Sequence, residues 1–488
     1  MQSENVFDKR KQALIVISLA FASFMGKLDG SIVNISLPAI SDYFKVSTSE
    51  VSWVILIYLI FLTSTLIIVG KIADSIGLKK IFIIGYVVFV ISSFLCGFIP
   101  VFLKDIWFLI LFRSTQGIGG SMIMTTAFAI IPKHIPKERL GWAYGLLSIG
   151  TALGLALGAP LGGIITGFFS WEWIFFINVP IGLIAIIIAI RIIPSDKVNA
   201  ELNKETKFDY KGSILSFLGI LILIYAINSG TIIGWLSPII IISFLLSGLL
   251  IYIFITREKK IDNPLLDLKL FKDKNYSFAI AGTFLGMMLI SGCAFLLPFY
   301  LEGMKDLSTE MSGLIFMIFS LAFLFGSPVS GKLSDKYNPT SLCRTAMLTA
   351  CVSTIFFAFT LGLGGLLYTL SYLIILGISY SLFVTPNSSA VMSLAPENER
   401  GSSSAIYIAA SNFSQILGVA ILESIFAGFF AGNAALNIIK DSKDIAVSGF
   451  RYSFIVGALI CFLAFFVLNF SKIKKSEIRK DEIRQDFI

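Results

Sequence analysis

The chain has 488 residues, 56% hydrophobic and 14% charged, with a net charge of +8. A water-soluble domain carries nearer a quarter charged residues, so composition argues against a soluble enzyme and for an all-α polytopic membrane protein. The basic excess follows the spacing of apolar runs, which makes a nucleic-acid partner the less economical reading.

Apolar runs of about 20 residues recur along the chain, each long enough to cross about 30 Å of hydrocarbon at ~1.5 Å per residue. The first, 14–38, begins after Lys9-Arg10-Lys11 and resembles a signal peptide as far as Ala20-Phe21-Ala22. It runs on to Leu37, so it reads as an uncleaved first helix. Further spans at 51–72, 80–99, 105–131, 140–168 and 173–193 complete an N-terminal bundle, 1–193. The polar stretch 194–211 reads as a solvated linker. Two spans, 212–230 and 236–256, form an inserted pair (212–256), followed by a basic link, 257–274. Six more, at 275–300, 309–333, 341–362, 365–391, 400–430 and 450–471, make a C-terminal bundle (275–471) before a basic tail, 472–488. The alternation of a β-barrel is absent.

About thirty of the 38 Lys and Arg fall on the side that holds both termini, which the positive-inside rule assigns to the cytoplasm. The five cysteines are scattered through the spans and read as packing residues. His134 stands alone among Lys and Pro in a loop, so no metal site is expected. Neither GxxxxGK(S/T), GxSxG nor HExxH occurs, so ATP drive, catalysis and a cofactor are not expected.

Gly70-Lys71-Ile72-Ala73-Asp74 is echoed 261 positions later by Gly331-Lys332-Leu333-Ser334-Asp335. Arg139 and Arg400, each closing an acidic-basic loop motif, share that offset. Two landmarks with one offset indicate two homologous halves, with the inserted pair between them. Parallel repeats of this kind are a secondary-transporter layout.

Intramembrane charge is costly, about 2.5–3.5 kcal/mol per residue on insertion scales. The first half carries Lys27, Asp29 and Arg113 within its spans. Helical rise places Asp29 and Arg113 within roughly 4 Å of one level, so they can pair. Their repeat equivalents are Ile290 and Ile374, and the second half offers only Glu423 deep in a span. Glu423 reads either as a second proton or cation site or as an interfacial residue reaching outer water. Lys27, Ser31 and Asn34 share one face of the first span, opposite Asp29. Lys27 is either a cavity-lining cation, which would repel cationic substrates, or a packed and hydrogen-bonded group.

Together these motifs resemble the major facilitator superfamily, and within it the fourteen-span drug:proton antiporter branch. The resemblance rests on Gly70 to Lys80, with Ser75 and Leu78 at positions often occupied by arginine, and on Arg113-Ser114-Thr115-Gln116-Gly117-Ile118-Gly119. It also rests on Leu28-Asp29-Gly30 through Pro38 and on Trp171-Glu172-Trp173 through Pro180. Gly145, Gly154, Gly158, Gly162 and Gly163 fit its antiporter helix, where Pro160 is displaced by one from the usual proline position.

The resemblance implies a 6+2+6 fold with two pseudo-symmetric halves, working as a monomer in the cell membrane. It also points to proton coupling through Asp29 and Arg113, although a static buried ion pair is the alternative, and the depth of Glu423 in its span makes it a further candidate proton-coupling residue. Candidate substrate contacts are Lys27, Asn34, Tyr58, Gln116, Tyr300, Asn387, Asn412 and Gln415. Gly70, Asp74, Gly77, Lys79, Lys80, Gly331 and Asp335 are expected to form gate loops, which also serve as topogenic charge. The expected activity is proton-coupled export of amphipathic, cationic drugs or dyes, with small molecules, protons and membrane lipid as partners. An exporter of anionic or zwitterionic metabolites and a non-transporting receptor or scaffold are the alternatives.

Overall fold

In a computed structural model the described residues are 9–136, 139–194, 209–261, 268–363, 365–396 and 400–470. Most of the expected linker 194–211, part of the link 257–274 and the tail from 471 lie outside them, as do the side chains of Asp74 and Asp335. The first six spans are α1 (Lys9–Phe44), α2 (Thr48–Ile76), α3 (Leu78–Leu103), α4 (Ile106–His134), α5 (Leu140–Phe168) and the broken pair α6 (Trp173–Phe176) and α7 (Asn178–Ile192). The inserted pair is α8 (Tyr210–Ile233) and α9 (Pro238–Glu258). The last six are α10 (Lys274–Phe299), α11 (Thr309–Lys336), α12 (Pro339–Thr360), α13 (Leu366–Leu394), α14 (Arg400–Gly428) and α16 (Lys443–Asn469), with the short α15 (Leu436–Asp441) before the last. Among the described residues, thirteen helices are long and apolar enough to cross a bilayer. The fourteenth, α4, has 29 residues and packs inside the bundle against α2 and α3.

Local chemistry sets the ends of these helices. Ser47 caps α2 in a reciprocal box with Glu50, while Asp105, Asp273, Ser308 and Asn338 cap α4, α10, α11 and α12. Gly77, at φ 109°, makes the turn between α2 and α3 that a side chain would strain. Pro298, near the end of α10, withholds one backbone donor, and the chain widens there into a π-turn over Tyr300–Met304.

The two halves repeat one packing scheme. α1 lies along α5 as α10 lies along α14; α4 packs on α2 and α3 as α13 packs on α11 and α12; α7 covers α3 as α16 covers α12. The halves meet along two seams, α5 with α11 and α2 with α14. Both seams are tight at the end remote from the termini. There the Thr48 amide donates to Ala434 (3.1 Å), and between the two seams the Asn34 amide of α1 donates to the Ala294 carbonyl of α10 (2.8 Å). A Cβ at Gly163 would stand 2.7 Å from the Thr309 carbonyl oxygen, and one at Gly313 would stand 2.6 Å from that of Ala159. The remote end is therefore sealed.

The inserted pair is asymmetric. α8 packs against both α2 and α14, across one seam, and α9 packs on α8 with most of its Ile and Leu side chains exposed as to lipid. At the other end of the pair, Arg257 clasps the buried Asp209 carboxylate through its Nε and Nη2. Burial alone would raise that carboxyl, but the Arg257 contact and the Gly212 and Lys211 amides hold it below its ordinary range.

The glycine stripe on α5 starts later than its spacing suggests. A Cβ at Gly150, Gly154 or Gly158 would lie 2.3, 2.4 or 2.4 Å from Ala20, Phe24 or Ser31 of α1, whereas Gly145 meets nothing within 4 Å. Gly145 is thus not part of the close packing. Gly158→Leu is expected to cost about 1–3 kcal/mol through overpacking and to lower the apparent melting temperature in detergent. Gly145→Leu, read in the same scanning-fluorimetry series, should leave it unchanged.

Candidate functional site

Three features inside the bundle bear on chemistry, and the first is a closed charge cluster in the N-terminal half. Asp29 on α1 and Arg113 on α4 are 0% and 1% exposed, and their side chains meet at 2.7 Å. Gln116, one turn along α4, donates to Asp29 Oδ1 at 3.0 Å, and Asn178 at the α6–α7 break donates to the same oxygen at 2.9 Å. Arg113 donates further to Gln116 Oε1 (2.6 Å) and to the Val54 carbonyl (3.0 Å), and its guanidinium lies 4.2 Å from the Tyr58 ring centre. Gln116 also donates to Ser93 of α3 at 2.8 Å. The cluster thus joins α1, α2, α3, α4 and α7. Its pair is compensated on both sides, the condition under which two charges persist in a low-dielectric interior.

The second feature lies in the remote seal. Glu423 on α14 is fully buried, so it is not an interfacial acid reaching outer water. Thr48 and Ser49, at the start of α2, donate to its Oε1 at 2.9 and 2.7 Å. Asn228 on α8 stands 3.4 Å from Oε2 and donates to Ser52 at 2.8 Å. Every donor here is neutral.

The third feature is an open face on α1. Gly26, Lys27 and Gly30 are exposed along it, and the two glycines have nothing within 4 Å of where a Cβ would sit. Gly154 of α5 seats the Lys27 Cβ, so the stem is held while the ammonium stands free. Lys27 makes no hydrogen bond or ion pair among the described residues. Of the packed, hydrogen-bonded alternative, the packing of the stem is present and a hydrogen bond to the ammonium is not, among the described residues.

Several candidate substrate contacts sit elsewhere. Tyr58 is buried over Arg113, and Gln116 is consumed by the charge cluster, so both belong to that cluster and not to an open surface. Tyr300 is buried, donates to the Leu361 carbonyl and packs edge-on against Phe357 and Phe450, which makes it a structural residue. Asn387 is buried and bonded to Thr283. Asn412 is 8% exposed with its amide nitrogen unbonded, and Gln415 is half-buried, its amide turned back to Ser411. Asn34 is half-buried and tied to Ala294 across the halves.

Of the gate-loop residues, Gly77 makes a turn and Lys79 donates to the Ile190 carbonyl (2.9 Å). Lys80 is exposed, and Gly70 and Gly331 allow only ordinary contacts with Thr125 and Thr385. Pro160 lies buried within α5.

Sequence reasoning assigned no role to Asn178 or Asn228. Each carried a signal, since an amide inside an apolar span seeks a partner. What sequence lacked was the identity of that partner, set by contacts 149 and 195 residues apart.

Comparison with known proteins fits this architecture. The family model described as Major Facilitator Superfamily matches residues 19–419. A riboflavin transporter of Clostridioides difficile is 30% identical over 469 residues, covering 95% of this chain and 98% of its own. A multidrug resistance protein of Mycobacterium tuberculosis is 26% identical over 440 residues, covering 89% of this chain and 80% of its own. Among solved structures, an inward-facing bacterial homolog of the human lysosomal transporter Spinster aligns with a TM-score of 0.67 at 15% identity, covering 96% of this chain and all of that one.

Removing one partner of a buried pair strands the other. Asp29→Asn is therefore expected to destabilise the fold by about 3–5 kcal/mol, and the double variant with Arg113→Gln by less than the sum of the two single changes. Thermal melts of the four proteins in one detergent check the coupling.

Proposed function

The chain belongs to the Major Facilitator Superfamily, whose members are transporters and not enzymes, and on that premise we propose that it is a proton-coupled exporter working by alternating access. The reading places both termini in the cytoplasm of a bacterial-type cell membrane, so the sealed remote end is the outer one and the described state faces inward. Residues 1–193 and 275–471 act as the two rocking bundles, within a single functional monomer.

The observation that carries the reading is the Asp29 cluster, a carboxylate deep in a span whose only cation is Arg113 on a neighbouring helix. When α4 shifts against α1, Arg113 withdraws and leaves the carboxyl without its counter-charge. A proton is then the least costly replacement. Uptake and release of that proton couple the ion gradient to the rocking motion. Nothing equivalent stands at Ile290 or Ile374, so coupling of this kind belongs to the first half.

The cargo class is amphipathic drugs or dyes, in keeping with the multidrug resistance relative. A second reading, anionic or zwitterionic compounds, is favoured by one specific observation, the unpaired Lys27 ammonium on the open α1 face. The cationic form of the cargo lacks such support, because Asp29 is fully occupied and Glu423 is sealed away. The riboflavin transporter relative fits an uncharged or acceptor-rich cargo equally well.

Proteoliposomes with an imposed proton gradient test both readings. Gradient-driven flux of ethidium or of fluorescein is expected in the wild type and should fall at least tenfold in Asp29→Asn, a loss of about 1.4 kcal/mol or more. No flux of either dye would sink the exporter reading and favour a receptor or scaffold. In Lys27→Gln, loss of fluorescein flux with ethidium flux retained or raised establishes the second reading, and an unchanged ratio of the two dyes removes it.

A further inference from the structure

The inserted helices α8 and α9 have so far served only as a covering pair, yet α8 reaches one of the two fully buried acids among the described residues. Glu423 sits where three separate parts of the chain converge. α2 of the first half brings Thr48 and Ser49, the inserted α8 brings Asn228, and α14 of the second half brings the carboxyl itself. The same residues close the outer seam, since the Thr48 amide also holds Ala434 and Asn228 also holds Ser52. Separating α2 from α14 therefore breaks every hydrogen bond that Glu423 makes to α2.

We infer that Glu423, Thr48, Ser49 and Asn228 form a second proton-binding site, loaded from the outer side, that latches the α2–α14 seam when occupied. The inference rests on the alternating-access reading, and it makes the inserted pair part of the gate.

The argument is one of charge balance. Among the described residues, the ionisable side chains on the helices packed against Glu423 are engaged with other partners. On α2, Glu50 is turned into the capping box with Ser47. On α8 the facing group is the Asn228 amide. On α16, Arg451 donates away to the Ala358 carbonyl of α12, and Tyr452 stacks on Phe429. On α10 and α13, Cys293 and Tyr372 are bonded to each other.

A bare carboxylate closed into this seam has no counter-charge, and such burial is among the most costly events in a protein interior. A proton on Oε2 removes that cost and leaves Oε1 to accept from Thr48 and Ser49. When the seam opens, water solvates the group and the proton is lost. Asn228 is a positioning residue: it fixes Oε2 and ties the seam to α8. An open apolar groove of about 530 Å³ runs between α8 and α14 beside this site, lined by Ile227, Thr231, Ile421 and Ser424 among others.

The test is a distance measurement, independent of flux. Lys45→Cys and Asp444→Cys place spin labels on the two halves at the outer end, where both positions are exposed, while the five native cysteines are buried. Double electron–electron resonance is recorded on the full chain in lipid nanodiscs at about pH 5.5 and about pH 8.5. A closed state that binds one more proton should lose population as pH rises, by up to about tenfold per pH unit. Glu423→Gln, a neutral isostere, should hold the short distance at both values. Asn228→Ala should shift the pH midpoint in the wild-type background and have no pH-dependent effect in the Glu423→Gln background.

A wild-type distance that ignores pH, a Glu423→Gln protein that still responds to it, or one fixed open overturns the inference. pH-dependent closure without any dye flux leaves this site standing and removes the exporter reading. Dye flux with pH-independent distances does the reverse.

Discussion

A charge in hydrocarbon must be answered, and the organisation of the first half follows from how Asp29 is answered. One guanidinium and two amides converge on its carboxylate from α4 and from the α6–α7 break. Because these groups come from different helices, each helix is fixed in rotation and height by the need to present its donor. Arg113 in turn requires the Val54 carbonyl and the Tyr58 ring, which sets α2. Because both carboxylate oxygens are answered, the network favours one arrangement, although the buried Asn178 Oδ1 has no partner.

The second half reaches the same packing without such a network. Where the first half has Asp29 and Arg113, it has Ile290 and Ile374, and its interior is held by ring contacts such as Phe357 on Tyr372 at 4.2 Å and Phe426 on Phe450 at 4.3 Å. The two bundles are alike in shape and unlike in chemistry. One is specified by hydrogen-bond direction and the other by the fit of large side chains, which tolerates small rotations more readily.

The architecture is legible in sequence because hydrophobic length, loop charge and repeat offset are each set by the bilayer and not by tertiary detail. The level of Asp29 and Arg113 follows from helical rise for the same reason, and so does the opposition of Lys27 to Asp29 on α1. Burial and partnership are less legible. Tyr58 and Tyr300 look alike as intramembrane tyrosines, but one lies over a guanidinium and the other packs against two phenylalanines. Gly145 and Gly150 look alike in the sequence, but α1 approaches only the second, because five residues of helix turn Gly145 by about 140° onto another face. Glu423 gives no sign in sequence that hydroxyls 374 and 375 residues away enclose it.

The inserted pair also breaks the symmetry of the molecule's flanks. A bundle of two rocking halves has two lateral seams, either of which can serve as a door to the membrane. α8 lies over the α2–α14 seam, backed by α9, whereas the α5–α11 seam carries no such cover among the described residues. A greasy molecule dissolved in the bilayer thus meets a wall on one flank and a bare joint on the other, where glycine backbones touch directly. The protein therefore has a handed surface toward lipid, with one seam covered by helices and the other bare among the described residues.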